Sequence, residues 1–259
     1  EVFAEVARAD DPQPKRGFTE VALGAETEFL YDVRAEFAGD SAPGFDALRI
    51  HTGNRAAFRR LEMGERRVAV DPAMVQEGED GLVVQLPERV TRRNNPPLRV
   101  VFETQVFEFA ATFEGEVFTA DSQSLPQAVQ PGDAGAAVST NSLRVLSAAG
   151  DAPDFIEDLT LSTPMLTPNG DRANDELRIN YSLYRLPGPV PVALEIYALD
   201  GRLVTRVEKG LQNSGPRQLS WDGRDAAGRL LPPGLFLLSL DLQTQRAQSK
   251  RLLPLGIAY

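Results

Sequence analysis

The chain has 259 residues, 27 Lys+Arg against 37 Asp+Glu, a net charge of -10, no Cys and one His. That balance excludes nucleic acid and anionic membrane as main partners, since both need a basic face. Zero Cys with one His excludes zinc sites of the Cys/His kind, and no apolar run approaches the ~20 residues that span a bilayer.

Apolar residues make up 42% and charged residues 25%, as in an ordinary soluble globular chain. At roughly 150 residues per domain the length predicts two domains, each with its own core. The chain opens at Glu1 without Met or a signal sequence, which reads as a processed or trimmed product and carries no targeting information.

Residues 1–16 turn polar after Ala7 and hold Pro12 and Pro14; they read as an N-terminal extension or linker. From Phe18 onward the period is two. Phe29, Tyr31, Val33, Ala35 and Phe37 alternate with polar neighbours, the pattern of a long strand with one buried face. Gly39–Gly44 reads as a turn, Leu48 and Ile50 as a strand, and Arg55–Arg67 as a charged stretch compatible with a short helix. Val68 and Val70, then Leu82, Val84 and Leu86 after the Asp80-Gly81 turn, give further strands. Leu98–Phe118 is the strongest β signal of this half, with Phe107, Phe109, Ala111 and Phe113 on one face and Gly115 marking a turn or bulge. Residues 17–150 thus predict an antiparallel sandwich of about eight strands.

Gly150–Asp154 is small, polar and Pro-bearing, and predicts the domain boundary. Residues 151–259 predict seven short strands near 158–162, 176–183, 190–198, 202–207, 216–221, 234–243 and 248–255. Asp200-Gly201 supplies a hairpin turn. Seven strands in about 100 residues is the count of an immunoglobulin-like or fibronectin III-like sandwich. The expected fold is all-β, two antiparallel sandwiches in tandem.

The second half also carries an ordered set of motifs. Thr167-Pro168-Asn169-Gly170-Asp171 comes first, then Ala193–Val204 around Asp200-Gly201. Trp221-Asp222-Gly223-Arg224-Asp225 follows, then Pro233-Gly234-Leu235-Phe236 and the closing Lys250-Arg251-Leu252-Leu253. This order, over about residues 160–255, resembles the Ig-like domain of flagellar hook-capping proteins. It is similar also to the C-terminal sorting domains of type IX secretion substrates. The resemblance implies a non-catalytic module at the bacterial cell surface or secreted past the inner membrane. Phe236 stands where the group more usually has Tyr, and the chain runs past Arg251 to Tyr259.

Few residues point to chemistry. His51 follows a strand directly and has no Gly-x-Ser-x-Gly elbow to serve, so it reads as a strand-end histidine. Asn169, Asp171, Asn174 and Asp175 form an oxygen-rich loop that would suit a structural Ca²⁺. The same residue types make side-chain-capped turns unaided, and the loop lacks the EF-hand order. No Walker A or Gly-x-Gly-x-x-Gly loop is present, and no carboxylate pair stands out. The expectation is no catalytic residue and no cofactor beyond that Ca²⁺.

Tyr197, Trp221, Phe236, Lys250 and Arg251 are the expected contact positions for a protein partner. The expected mode is β-augmentation at a strand edge. Three functions compete: a structural or assembly module, a secretion cargo whose last domain is a sorting signal, and a glycan-binding accessory module.

Overall fold

A computed structural model of the chain describes residues 1–39, 44–120, 125–148, 154–245 and 247–259. The inner residues of the Gly39–Gly44 turn and most of the Gly150–Asp154 boundary lie outside the described residues. The chain is nearly all β, with one 3-10 turn at Pro72–Met74 and no α-helix among the described residues. It divides into two units, Glu1–Gly150 and Asp151–Tyr259, and each is a β-sandwich.

The strands of the first unit are β1 (Val2–Arg8), β2 (Thr19–Val21), β3 (Glu26–Ala35), β4 (Phe45–His51), β5 (Ala56–Met63), β6 (Arg66–Val68) and β7 (Val75–Gly78). After these come β8 (Gly81–Val90), β9 (Leu98–Gln105), β10 (Ala110–Thr112), β11 (Glu114–Phe118), β12 (Gln127–Ala128), β13 (Gln130–Pro131) and β14 (Arg144–Ser147). One sheet runs β13-β1-β3-β9-β5-β6, a second β12-β11-β4-β8-β7, and a small third β10-β14-β2. Alternate residues of the two large sheets meet in one core, with Phe29, Tyr31 and Phe102 from the first and Leu48, Ile50 and Val84 from the second. Phe113 joins them, edge-on to Phe29 at 5.0 Å between ring centres.

Four expectations change here. Residues 1–16 are no linker at their start: Val2, Ala4 and Val6 are core residues of β1, which lies between β13 and β3. An alternating apolar run of this length needs a partner sheet, whatever the polar residues that follow it. Arg55–Arg67 is a hairpin of β5 and β6: Leu61 and Met63 bury at strand spacing, and an irregularity between Phe58 and Arg60 brings Ala56 into the same core. Phe107, Phe109, Ala111 and Phe113 do not share one face: Val106, Ala111 and Phe113 enter the core, while the chain bends between β9 and β10 and turns Phe109 to solvent. Gly115 marks neither turn nor bulge. It pairs regularly with Ile50, and a Cβ there would sit 2.3 Å from the Tyr31 hydroxyl.

The outer face of β1 is covered as well. Glu5 is fully buried there, and its carboxylate accepts backbone N–H groups from Ala134 (3.0 Å), Gly135 (3.3 Å) and Asn141 (2.9 Å). Gly132 N–H donates to Ala4 O and Val6 N–H to Ser142 O, while Val138 packs on Ala7, Leu30 and Val101. Beside Glu5 in register lies Asp32, which accepts from Arg99 Nε and Nη2 at 2.6 and 2.7 Å. Segment 130–142 is therefore strapped across the sheet by a carboxylate that water does not reach.

The second unit contains β15 (Ile156–Leu161), β16 (Met165–Leu166), β17 (Leu177–Leu183), β18 (Val190–Ala198), β19 (Leu203–Gln212), β20 (Gly215–Trp221), β21 (Gly234–Gln243) and β22 (Gln248–Ile257). They form sheets β15-β17-β20 and β16-β22-β21-β18-β19. Two features differ from the expected seven: the two-residue β16 adds a strand, and β19 runs on to Gln212. The core is Leu177, Ile179 and Tyr181 against Leu194, Ile196, Leu238 and Leu240. Asp200-Gly201 makes the β18–β19 turn, with Gly201 at φ 84° and Asp200 Oδ1 accepting Arg202 N–H at 2.9 Å.

Replacing Glu5 by Ala leaves those amides buried without an acceptor. The expected cost is about 3 kcal/mol or more, read as a lower urea midpoint. A Glu5→Ala midpoint equal to that of the parent would remove the strap from the account.

Candidate functional site

The two loop motifs of the second unit sit at one end of its sandwich and are closed on themselves. In the Asn169–Asp175 loop, Asp175 accepts the N–H groups of Gly170 (2.7 Å) and Arg172 (2.6 Å). Asp171 accepts that of Ala173 (2.7 Å), and Asn169 Oδ1 accepts that of Asp171 (3.0 Å). Asn174 lies at φ 55°, a left-handed position that Asn tolerates, and its carbonyl accepts Thr167 N–H. These oxygens serve the loop's own backbone, the chemistry of a capped turn. Among the described residues no group of three or more His, Cys, Asp or Glu is arranged to hold a metal ion.

The Trp221 turn is built likewise. Trp221 Nε1 donates to Arg224 O at 2.9 Å, Asp222 Oδ1 accepts Arg224 N–H at 3.2 Å, and Asp225 accepts the N–H groups of Ala227 and Arg229. The Arg229 backbone N–H and then its guanidinium hold the Asp225 carboxyl below its ordinary pKa. Gly223, at φ 79°, has no side chain because Leu166 would lie 2.9 Å from its Cβ; the motif before β17 and the turn after β20 are packed together there. Trp221 is buried and caps the core, so its ring offers no stacking face to a sugar.

The expected contact residues separate. Phe236 is buried beside Trp221 in the core. Arg251 pairs with Asp154 at 2.5 Å. Tyr197 and Lys250 alone come together, with the Lys250 ammonium 5.8 Å from the centre of the Tyr197 ring. Both lie on the outer face of the five-stranded sheet. Tyr197 OH donates to Glu195 at 2.5 Å, which raises the hydroxyl's pKa, and Arg206 pairs with Glu195 at 2.7 Å. Lys250 stands 4.0 Å from Asp241. Beneath this polar strip Ser239 is 1% exposed, and its hydroxyl has no hydrogen-bond partner among the described residues.

The other half of the same face is apolar. Along β21 the residues Phe236, Leu238, Leu240 and Leu242 point into the core. Leu235, at 60% exposure, and Leu237 point out. Register places Pro254 beside Leu237, Leu252 beside Ser239, and Leu203 beside Tyr197. Leu252 is 54% exposed. Met165 of β16 extends the patch by lying over Gly256, whose absent Cβ would be 2.6 Å from its sulfur. Every strand of the sheet contributes. Large contiguous apolar patches are uncommon on the surface of a folded module. Sequence reading passed over Leu235, Leu252 and Met165. The usable signal was the unbroken run Leu235–Leu238, apolar on both faces, where a half-solvated strand alternates.

The edges of both sheets are blunted. β16 has two residues. β19 carries irregularities against β18 near Glu195 and Tyr197, and bears Arg206, Glu208 and Lys209. β20 has Pro216, which lacks an N–H, and Arg217 donates to the carbonyls of Pro216 and Asn213 at 2.7 and 2.8 Å. β15 breaks register between Glu157 and Thr160, with Asp158 at φ 56°. Such devices keep strange strands off a sheet. The outer face of the five-stranded sheet carries no such device.

Residues 176–246 match the family described as FlgD Ig-like domain. The second unit thus contains an Ig-like domain related to that of flagellar hook-capping proteins. No curated protein matches the chain. Among solved structures the chain is similar to dimeric latent PorU from Porphyromonas gingivalis, at 15% identity and TM-score 0.34, covering 99% of this chain and 20% of that one. It is similar to the major pilin SpaD from Corynebacterium diphtheriae at 11% identity and TM-score 0.32, covering 96% and 59%. It is similar also to the β-glucuronidase of Parabacteroides merdae at 13% and 0.27, covering 90% and 28%. Likeness of that degree carries no argument about function. The chain spans about a fifth of the length of PorU and no more than 59% of the length of SpaD.

In the first unit His51 ends β4 on the surface, its Nδ1 2.8 Å from Asp80. No helix among the described residues is long and apolar enough to cross a membrane.

Two measurements test this site. Ser239→Ala removes a buried hydroxyl that gains nothing from the fold, so stability is expected to be unchanged or to rise by up to about 1 kcal/mol; a clear loss in urea would mean that the hydroxyl has a partner. Asp225 titrates below an unstructured aspartate, so the stability it lends is complete above pH about 4. That contribution is lost as pH falls through the folded value. A carboxyl NMR titration with an ordinary or raised midpoint would contradict the turn geometry.

Proposed function

We propose that this chain is a non-catalytic module of a bacterial cell-surface or secreted assembly, held to its neighbours through the outer face of the β16-β22-β21-β18-β19 sheet. The observation that carries the reading is that face: an exposed apolar half around Leu235, Leu237 and Leu252 beside an ion-paired half, on a sandwich whose edges are blunted. Burying exposed leucines drives association at about 25 cal/mol per Å² before ordering costs. The paired strip at Glu195–Arg206 and Asp241–Lys250 sets orientation rather than affinity. Extracytoplasmic placement accords with the hook-capping relationship of residues 176–246.

The test is a double variant, Leu235→Lys with Leu252→Glu. Both side chains are exposed, so the fold should persist. In the producing cell the variant is expected to be made and folded yet missing from the assembled fraction. Retention at the parental level would overturn the reading.

A sorting role is the second reading, favoured by the motif order that ends in Lys250-Arg251. Deleting residues 160–259 should then trap the remainder inside the envelope, whereas unchanged export would end that idea.

A further inference from the structure

Nearly all of the chain's net charge of -10 lies in residues 1–150; residues 151–259 are close to neutral. The outer face of the second unit is, if anything, basic. Glu195 and Asp241 are each matched by a cation, and Lys209 stands exposed on β19 with no ion pair among the described residues. Two copies set face to face would bring together two surfaces with the same small excess of positive charge. A first unit set against that face would bring a net-acidic body to a face that carries one unpaired cation among the described residues. Charge therefore selects which surface of a second copy fits.

The first unit also presents a matching apolar group. Phe109 is 69% exposed, one of two large hydrophobic side chains exposed there among the described residues. It follows Glu108 at the bend between β9 and β10, and its carbonyl accepts Ser147 N–H at 3.0 Å. The backbone is pinned by that bond while the ring stands clear. An aromatic side chain on a fixed backbone loses little freedom when it is buried, the property of an interface anchor.

We infer that the apolar outer face of the second unit receives the Phe109 bend of a second copy, joining chains head to tail. The proposal rests on the reading of that face as a contact surface. Its geometry is heterologous: the two contacting surfaces differ, so each added copy leaves one face and one bend free and the assembly grows as a fibre or closes as a ring.

The experiment uses the full chain in sedimentation velocity. The parent is expected to grow with concentration beyond a dimer, and to shrink as ionic strength rises. Leu252→Glu spoils the face, and Phe109→Ala spoils the bend. Each should weaken self-association about 30-fold, the size of a hot-spot loss, with unfolding midpoints unchanged. The decisive arm is the mixture. A Leu252→Glu chain keeps its bend and a Phe109→Ala chain keeps its face, so together they should form a one-to-one complex that grows no further.

Three results would overturn the inference: a parent that stays monomeric to millimolar concentration, a parent that stops at a dimer, or a mixture that does not pair. If the parent is monomeric while the Leu235→Lys/Leu252→Glu variant is still lost from the cellular assembly, the face reading stands and the head-to-tail contact falls. If Leu252→Glu self-associates as the parent does, both fall.

Discussion

An open β-sheet ends in a row of unpaired N–H and C=O groups, and that row will pair with any extended chain it meets. Most of what is distinctive in this protein answers that constraint. In the first unit the edge strands are stubs of two to four residues, β13, β6, β12, β7, β10 and β2. In the second unit three edges are longer, and each carries its own deterrent: charge and irregular pairing on β19, Pro216 and the Arg217 side chain on β20, a register break on β15. With the edges blunted, the outer face of the five-stranded sheet is left uncovered by such devices. Its apolar half lies beside a strip in which both carboxylates, Glu195 and Asp241, have a cation, and Gly256 leaves room for Met165.

Strand periodicity made the second sandwich readable. Leu177, Ile179 and Tyr181 against Arg178 and Asn180 leave no other element type, and Asp200-Gly201 fixes a hairpin wherever two such runs flank it. The first unit was harder. β1 was masked by the polar, Pro-bearing residues that follow it, and its partner β13 comes from residue 130, a pairing no local pattern announces. Arg59, Arg60, Arg66 and Arg67 hid the β5–β6 hairpin, since charge on the outer face of a hairpin resembles charge on a helix. Gly115 was misread because the reason for it is the hydroxyl of Tyr31, distant in sequence.

The candidate site was legible in part. Tyr197 and Lys250 were picked out as residue types suited to contact, and they do share a face. Trp221 and Phe236 were picked for the same reason and belong to the core, because large aromatics serve both ends and only packing tells them apart. The leucines that form the apolar half gave no motif. What distinguishes them is which side of β21 and β22 they occupy, and register, not composition, decides that.

The strap over β1 bears on how the first unit comes into being. Glu5 meets amides at positions 134, 135 and 141, and β1 lies beside β13. A ribosome releases residue 5 long before residue 141. Until the later segment arrives, the hairpin of β1 and β3 must wait with one flank bare and a carboxylate lacking its amides. Contacts so far apart in the chain slow the search for the native pairing and lengthen the time during which sticky strands are uncovered. The second half shares the difficulty in part, because β16 pairs with β22 and β17 with β20, across the strands between them.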